Sequence, residues 1–316
     1  MNILLIRRGA LGDTIVTLPL IRILKKKYAD CRIEVIGDRN YWSVALPNYI
    51  DNITPSESKY INSLYLENSL DSEIAEYYKN FDLILGFLID REGTIERHFR
   101  EIGMDNCYFK DPFTENTKTH IVEYTTSILS DVGIDYDEDI TPKIDIDKSG
   151  ARYAEALIAR LGSHESLISI NPRTYGIKGL DIYKFIELGR WVENELKGQA
   201  IWILGPVEEE NVKILESSFD RDSIVYENDI KKAAAIISAT DFYVGCDTGI
   251  THLAAATGVN TISIFGPTNP DIWGSLGKNV KIINTDVLDT FDIEIVKRLI
   301  DNNINNGFNG REIIQA

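Results

Sequence analysis

Short apolar runs alternate with amphipathic stretches along nearly the whole chain. Residues 2–7 (NILLIR), 32–37 (RIEVIG) and 81–88 (FDLILGFL) are near-continuous runs of Ile, Leu, Val and Phe. That is the pattern of strands buried on both faces of a parallel sheet. Helical periodicity covers 15–28, 41–46, 74–79 and 119–134, the last closed by Gly133, whereas 51–72 is polar and punctuated. The stretch 133–149 is dense in Asp and Glu, contains Pro142 and has no helical period, as a linker would. Beyond it the alternation resumes. Strands are predicted at 167–171, 200–204, 224–226, 241–246 and 261–265, with helices at 181–197, 208–218, 230–239, 249–257 and 290–303. Two successive runs of this kind predict an α/β protein with two doubly wound, Rossmann-like parallel-sheet domains, residues 1–148 and 149–316. The last helix, about 290–303, is expected to pack back on the first domain, and the Asn-rich segment 302–309 to fray. In such folds ligands sit beyond the carboxyl ends of the strands, and two facing domains leave a cleft between them.

Composition narrows the function. The 316 residues carry 33 Lys and Arg against 49 Asp and Glu, a formal net charge of −16. A general nucleic-acid binder, which needs cations facing phosphates, is disfavoured. No run of about 18 apolar residues occurs, so no membrane span is predicted. The opening MNILLIRRG places its apolar run before its arginines, the reverse of a secretory signal. Three scattered cysteines, Cys31, Cys107 and Cys246, form no CxxC pair, which fits a reducing cytoplasm better than a disulfide scaffold or zinc ribbon. The four histidines show no paired metal spacing, and no GxSxG elbow or GxxxxGK[ST] loop is present. Two DxD strings, at 135–137 and 145–147, lie in the linker and read as solvated.

Chemistry concentrates where strands hand over to helices. In Gly245-Cys246-Asp247-Thr248-Gly249-Ile250-Thr251-His252 a strand ends and a helix of small residues begins. The first N–H groups of a helix lack internal acceptors and carry about half a positive charge, an anion site suited to a diphosphate. Thr248 and Thr251 could add hydroxyls, His252 an imidazole, and Asp247 would accept from sugar hydroxyls; alternatively Asp247 or Thr248 simply caps the helix. The next strand ends in Gly266-Pro267-Thr268, which would wall the same pocket. Asn171 to Lys178 brings Arg173, Thr174 and Lys178 to another strand end, and Glu208-Glu209-Glu210 open a helix as dipole partners or as ligands of ribose hydroxyls. At the amino end, Gly9 to Asp13 spells GxxGD rather than the dinucleotide GxGxxG. Asp13 there is either a helix cap or a general base taking a proton from a hydroxyl.

The run ILLIRRGALGDTIVTLPLIRILKKKY resembles the opening strand, Gly-Asp turn and first helix of glycosyltransferase family nine, the bacterial heptosyltransferase family, including Thr17 and Pro19. VGCDTGITHLAAATGVNTISIFGPTNP resembles its donor-binding signature, and LISINPRTYGIK and IWILGPVEEEN extend the likeness over most of the chain. The resemblance implies the GT-B architecture, with acceptor on the first domain and nucleotide sugar on the second. It implies inverting, metal-independent transfer of a heptose or related sugar from an ADP-activated donor to a hydroxyl of a lipopolysaccharide-core or other surface-glycan acceptor. Asp13 matches the catalytic base. Asp247, Thr248, Gly249 and His252 match the donor site, with Thr174 and Lys178 at the phosphate loop and Glu209 near the nucleoside. No cofactor and no metal are implied, and the enzyme would be cytoplasmic, at most peripheral at the inner face of the cytoplasmic membrane. Beside Asp13, Gly12 and the basic residues Arg22, Lys25 and Lys26 of the first helix form the acceptor-side candidates. That basic run meets a phosphorylated acceptor or membrane surface, or is a solvated helix face. The alternatives are a GT-B transferase or epimerase using another nucleotide sugar, and a non-catalytic sugar-nucleotide-binding module.

Overall fold

A computed structural model describes residues 1–113 and 118–316. These form two compact units, 1–140 and 141–316. The division falls inside the 133–149 segment, ahead of the boundary expected at 148/149, because Ile144 already donates its amide to the Ala256 carbonyl, 3.0 Å away, in the second unit.

The first unit holds five parallel strands, β1 (Asn2–Ile6), β2 (Arg32–Gly37), β3 (Asn52–Pro55), β4 (Leu83–Phe87) and β5 (Cys107–Lys110), in the order β3-β2-β1-β4-β5. Ile3 to Ile6 of the central β1 are 0% exposed, as a doubly covered strand requires. Helix Leu11–Lys27 follows β1 with little irregular chain between, starting four residues before the periodicity suggested. Leu11, Ile15, Leu18, Ile21 and Leu24 are all buried, and the Thr17 hydroxyl donates to the Asp13 carbonyl, 2.6 Å away, one turn ahead of Pro19. The predicted helix 119–134 is two short ones, Ile121–Thr126 and Ile128–Asp131.

The second unit holds seven parallel strands: β6 (Leu167–Asn171), β7 (Gln199–Leu204), β8 (Ile224–Tyr226), β9 (Phe242–Cys246), β10 (Asn260–Phe265), β11 (Val280–Asn284) and β12 (Glu312–Gln315). Their order is β12-β11-β10-β9-β6-β7-β8. Its core gathers Phe185, Trp202, Phe242 and Ile264 with Val296 and Ile300 of helix Glu294–Asn303. That helix, expected to pack back on the first domain, therefore buries its apolar face in the second. The Asn-rich segment, expected to fray, leads instead into β12, which pairs with β11. Helix Lys148–Leu161, unanticipated, starts where Asp147 accepts from the Gly150 amide at 2.8 Å.

Both sheets reverse strand order once beside their first strand, β1/β4 in one unit and β6/β9 in the other. At such a switch point the two following loops diverge to opposite faces and leave a crevice at the carboxyl edge. Those two crevices are the places to look for chemistry.

Candidate functional site

At the β1/β4 switch point, Arg7 follows directly on β1 and is 1% exposed. Its Nη2 donates to Asp13 Oδ1 at 2.6 Å, its Nη1 to the Pro112 carbonyl at 3.4 Å, and its guanidinium lies 4.8 Å from the Phe87 ring centroid. Burial pushes the Arg7 pKa down, against the opposing pull of Asp13 and Tyr124. Asp13 is the third residue of its helix, not the cap, and its Oδ2 accepts from the Ala10 amide at 2.9 Å. Both carboxylate oxygens are thus held. Gly9 makes room for them: a Cβ there would lie 2.2 Å from Asp13 Oδ2. Asp13 and Gly9 line a cavity of about 430 Å³ with Arg8, Tyr65, Ile89 and Phe113. A held carboxylate on the wall of an open cavity can accept a proton from a bound hydroxyl.

At the β6/β9 switch point, Asp247 follows β9 and is 5% exposed. Its Oδ2 accepts from Lys178 Nζ at 2.5 Å and from Thr268 Oγ1 at 2.6 Å. Three loops, those after β6, β9 and β10, are clasped by one carboxylate. Thr248 stands at the N-cap of helix Gly249–Thr257 with an extended backbone and no side-chain capping bond, so neither it nor Asp247 caps the helix. The first bonds into the Thr248 carbonyl come from the Thr251 and His252 amides, at 3.1 and 3.3 Å. The Gly249 and Ile250 amides precede them and point out of the helix end, the arrangement that receives anions. Thr251, in contrast, is 1% exposed, and its hydroxyl donates to the Cys246 carbonyl at 2.5 Å, so it braces the turn from inside rather than serving a ligand. His252 is half-buried one turn along.

The loop after β6 is fixed from below. Asn211 Nδ2 donates to the Pro172 carbonyl at 3.0 Å and its Oδ1 receives the Thr174 hydroxyl at 3.3 Å. Arg173 lies over its neighbour Tyr175, 4.4 Å from the ring centroid. Of the consecutive glutamates, Glu209 is exposed on the first turn of helix Glu209–Glu216, while Glu208 is the one turned inward. Glu208 Oε2 accepts from the Gly205 amide at 2.9 Å, and burial raises its pKa against the pull of that amide and of Arg173. The folded chain therefore holds a Glu208 proton more tightly than the unfolded chain, so this group costs stability as pH rises through its titration. Glu208→Gln is expected to raise Tm at pH 7 and to lose that advantage near pH 4, as thermal unfolding at the two pH values would show.

The structure gathers Lys178, Asp247, Thr248, Gly249 and Thr268 at one crevice, with Thr174 and Gly266 half-buried and Pro267 exposed on the loops around it. It does not gather Arg22, Lys25 and Lys26 with Asp13. They follow Asp13 by nine to thirteen residues of one helix, about 14–20 Å along its axis. Each is also engaged: Arg22 with the Asp139 carbonyl, Lys25 with Asp51 at 2.8 Å, and Lys26 with Glu138 at 2.8 Å. These three residues are tied down by two carboxylates and a backbone carbonyl of their own unit, and of the acceptor-side candidates only Gly12 stays next to Asp13. Sequence reasoning overlooked Arg7 and Asn211, whose roles rest on burial, and did not separate buried Glu208 from exposed Glu209 and Glu210. Among the described residues no three His, Cys, Asp or Glu side chains converge as a metal-ligand set, and no helix is long and apolar enough to cross a membrane.

The family model described as Glycosyltransferase family 9 (heptosyltransferase) matches residues 96–299. The chain is 21% identical to lipopolysaccharide heptosyltransferase 1 of Escherichia coli, over 96% of this chain and 98% of that protein. Among solved structures it is similar to the family 9 glycosyl transferase from Veillonella parvula, with a TM-score of 0.77 and 16% identity over 95% of this chain and 96% of that one. It is also similar to E. coli heptosyltransferase WaaC with ADP, with a TM-score of 0.69 and 18% identity over 96% and 100% of the two chains. At these identities the structural likeness establishes the fold, two Rossmann-like units of the GT-B kind.

Proposed function

Since the chain belongs to glycosyltransferase family 9, the heptosyltransferase family, we propose that this heptosyltransferase-like glycosyltransferase moves a heptose or related sugar from an ADP-activated donor to the hydroxyl of a surface-glycan acceptor. One observation carries the donor half: Lys178 is held by buried Asp247 beside a helix N-terminus whose cap residue makes no side-chain bond to the helix amides. A cation and outward amides together suit a diphosphate. Asp13 is the general base. It takes the acceptor proton as that oxygen bonds to the anomeric carbon, and the bond from that carbon to the diphosphate breaks in the same step. A single displacement of this kind inverts the anomeric centre. Negative charge grows on the departing ADP, where Lys178 and the amides of Gly249 and Ile250 stabilise it, so the reaction needs no metal. Asp247 and His252 face the donor sugar and phosphates, Thr174 supports the phosphate loop, and Glu209 lies toward the nucleoside. Association with a membrane surface is at most peripheral in this reading.

Thermal shift with ADP, UDP, GDP and their sugars tests the donor assignment. The largest rise in Tm is expected with ADP and an ADP-sugar; equal response to all three bases, or none, rejects it. Gly9→Ala tests the base. The added Cβ must displace the Asp13 carboxylate, and a misplacement near 1 Å costs about 100-fold in turnover. Steady-state transfer is expected to fall by that order while ADP binding is kept.

A further inference from the structure

We propose that the acceptor hydroxyl is borne by an uncharged sugar with an apolar substituent, seated against Tyr65, Ile89 and Phe113, rather than by a multiply anionic sugar. The inference rests on the reading of Asp13 as the base, and it names the class of substrate that the cavity beside Asp13 accepts. Three large apolar side chains stand open on that cavity: Tyr65 is 46% exposed, Ile89 45% and Phe113 54%. They come from three separate connections, following helix Lys59–Ser63, β4 and β5, yet converge on one concavity. Apolar groups left in water at the carboxyl edge of a parallel sheet mark a ligand surface with an apolar partner.

Charge points the same way. A multiply anionic acceptor needs several free cations near Asp13, and the residues that line this cavity offer one. Arg7 is 1% exposed, with Nη2 on Asp13, Nη1 on the Pro112 carbonyl and its face on Phe87, and its Nε is sealed from solvent. Arg22, Lys25 and Lys26 are engaged at the far end of their helix. Arg8 is the exposed cation on this cavity's wall. The Arg7–Asp13 pair cancels, so Arg8 alone leaves this cavity with one net positive charge, too few for a multiply anionic sugar. The second unit, by contrast, meets its proposed anion with Lys178 and a helix end.

Saturation-transfer NMR on the full chain tests this with phenyl β-D-glucoside, glucose and glucose 6-phosphate as probes, and with ADP titrated in parallel. Phenyl glucoside is expected to bind through its ring and to weaken about fivefold in either Ile89→Ser or Phe113→Ala. Glucose 6-phosphate should bind no better than glucose. Both substitutions are at exposed positions, so Tm should hold. Tighter binding of glucose 6-phosphate than of phenyl glucoside, or phenyl glucoside binding that ignores both substitutions, overturns the inference. Absence of phenyl glucoside binding while ADP still binds overturns it alone; failure of both probes overturns the transferase reading as well.

Discussion

Asp13→Asn is expected to slow sugar transfer by about 100- to 10,000-fold, the usual worth of a general base, while ADP affinity stays within about twofold. Asparagine keeps the shape of the side chain and still offers one oxygen to the Arg7 guanidinium 2.6 Å away. It cannot take a proton. Nor can its single oxygen serve both Arg7 and the Ala10 amide, which Asp13 does with two. The substitution also leaves a guanidinium that is 1% exposed without its counter-charge. Removing one partner of a buried pair costs about 3–5 kcal/mol, and Asp13 at 16% exposure places this pair toward the lower end. The loss of activity must therefore be separated from loss of fold. Arg7→Met/Asp13→Asn removes both charges and should recover much of the stability without recovering turnover. Denaturant unfolding and single-turnover transfer on wild type, both single variants and the double variant give the comparison. Turnover within tenfold of wild type in folded Asp13→Asn would remove Asp13 from the mechanism.

The second large effect is an asymmetry between Lys178 and Asp247. The two form one ion pair, yet Lys178 is 29% exposed and Asp247 only 5%. Lys178→Met strands a buried carboxylate with the Thr268 hydroxyl as its remaining partner, at a cost of about 3 kcal/mol. Asp247→Asn frees a lysine that can turn to water and leaves an oxygen for Thr268, costing about 1 kcal/mol. Lys178→Met is thus expected to be the less stable variant. It should also bind ADP about 10- to 100-fold more weakly, the worth of a lost hydrogen bond to a charged group. Denaturant melts and titration calorimetry report the two effects separately. The reverse stability order would show that Asp247 is not held in place by Lys178.

Which elements were legible in the sequence follows from how each is buried. Strands β1, β2, β4, β6, β7, β9 and β10 are largely buried and read as near-continuous apolar runs, so their limits fell within about two residues. Strands β3, β5 and β12 sit at sheet edges, are half-buried or exposed at all but Ile53, and carry no such run. Helix Lys148–Leu161 buries Gly150, Ala154 and Leu157, a stripe too small in side-chain volume to stand out beside an acidic segment. Among the candidates, Asp13, Lys178 and Asp247 stood out in the sequence because nearby glycines mark the turns at strand ends. Arg7 was not. An arginine after a strand looks exposed, and only the fold brings Phe87, Pro112 and Asp13 around it. The basic run at 22–27 misled for the same reason: its partners Asp51, Glu138 and Asp139 lie far away in sequence.

If the β6/β9 switch point receives the diphosphate of an ADP-activated sugar, a crystal structure with ADP bound will show it there. Diphosphate oxygens are expected at about 3 Å from Lys178 Nζ and from the amides of Gly249 and Ile250. A diphosphate ordered away from those three groups would contradict it.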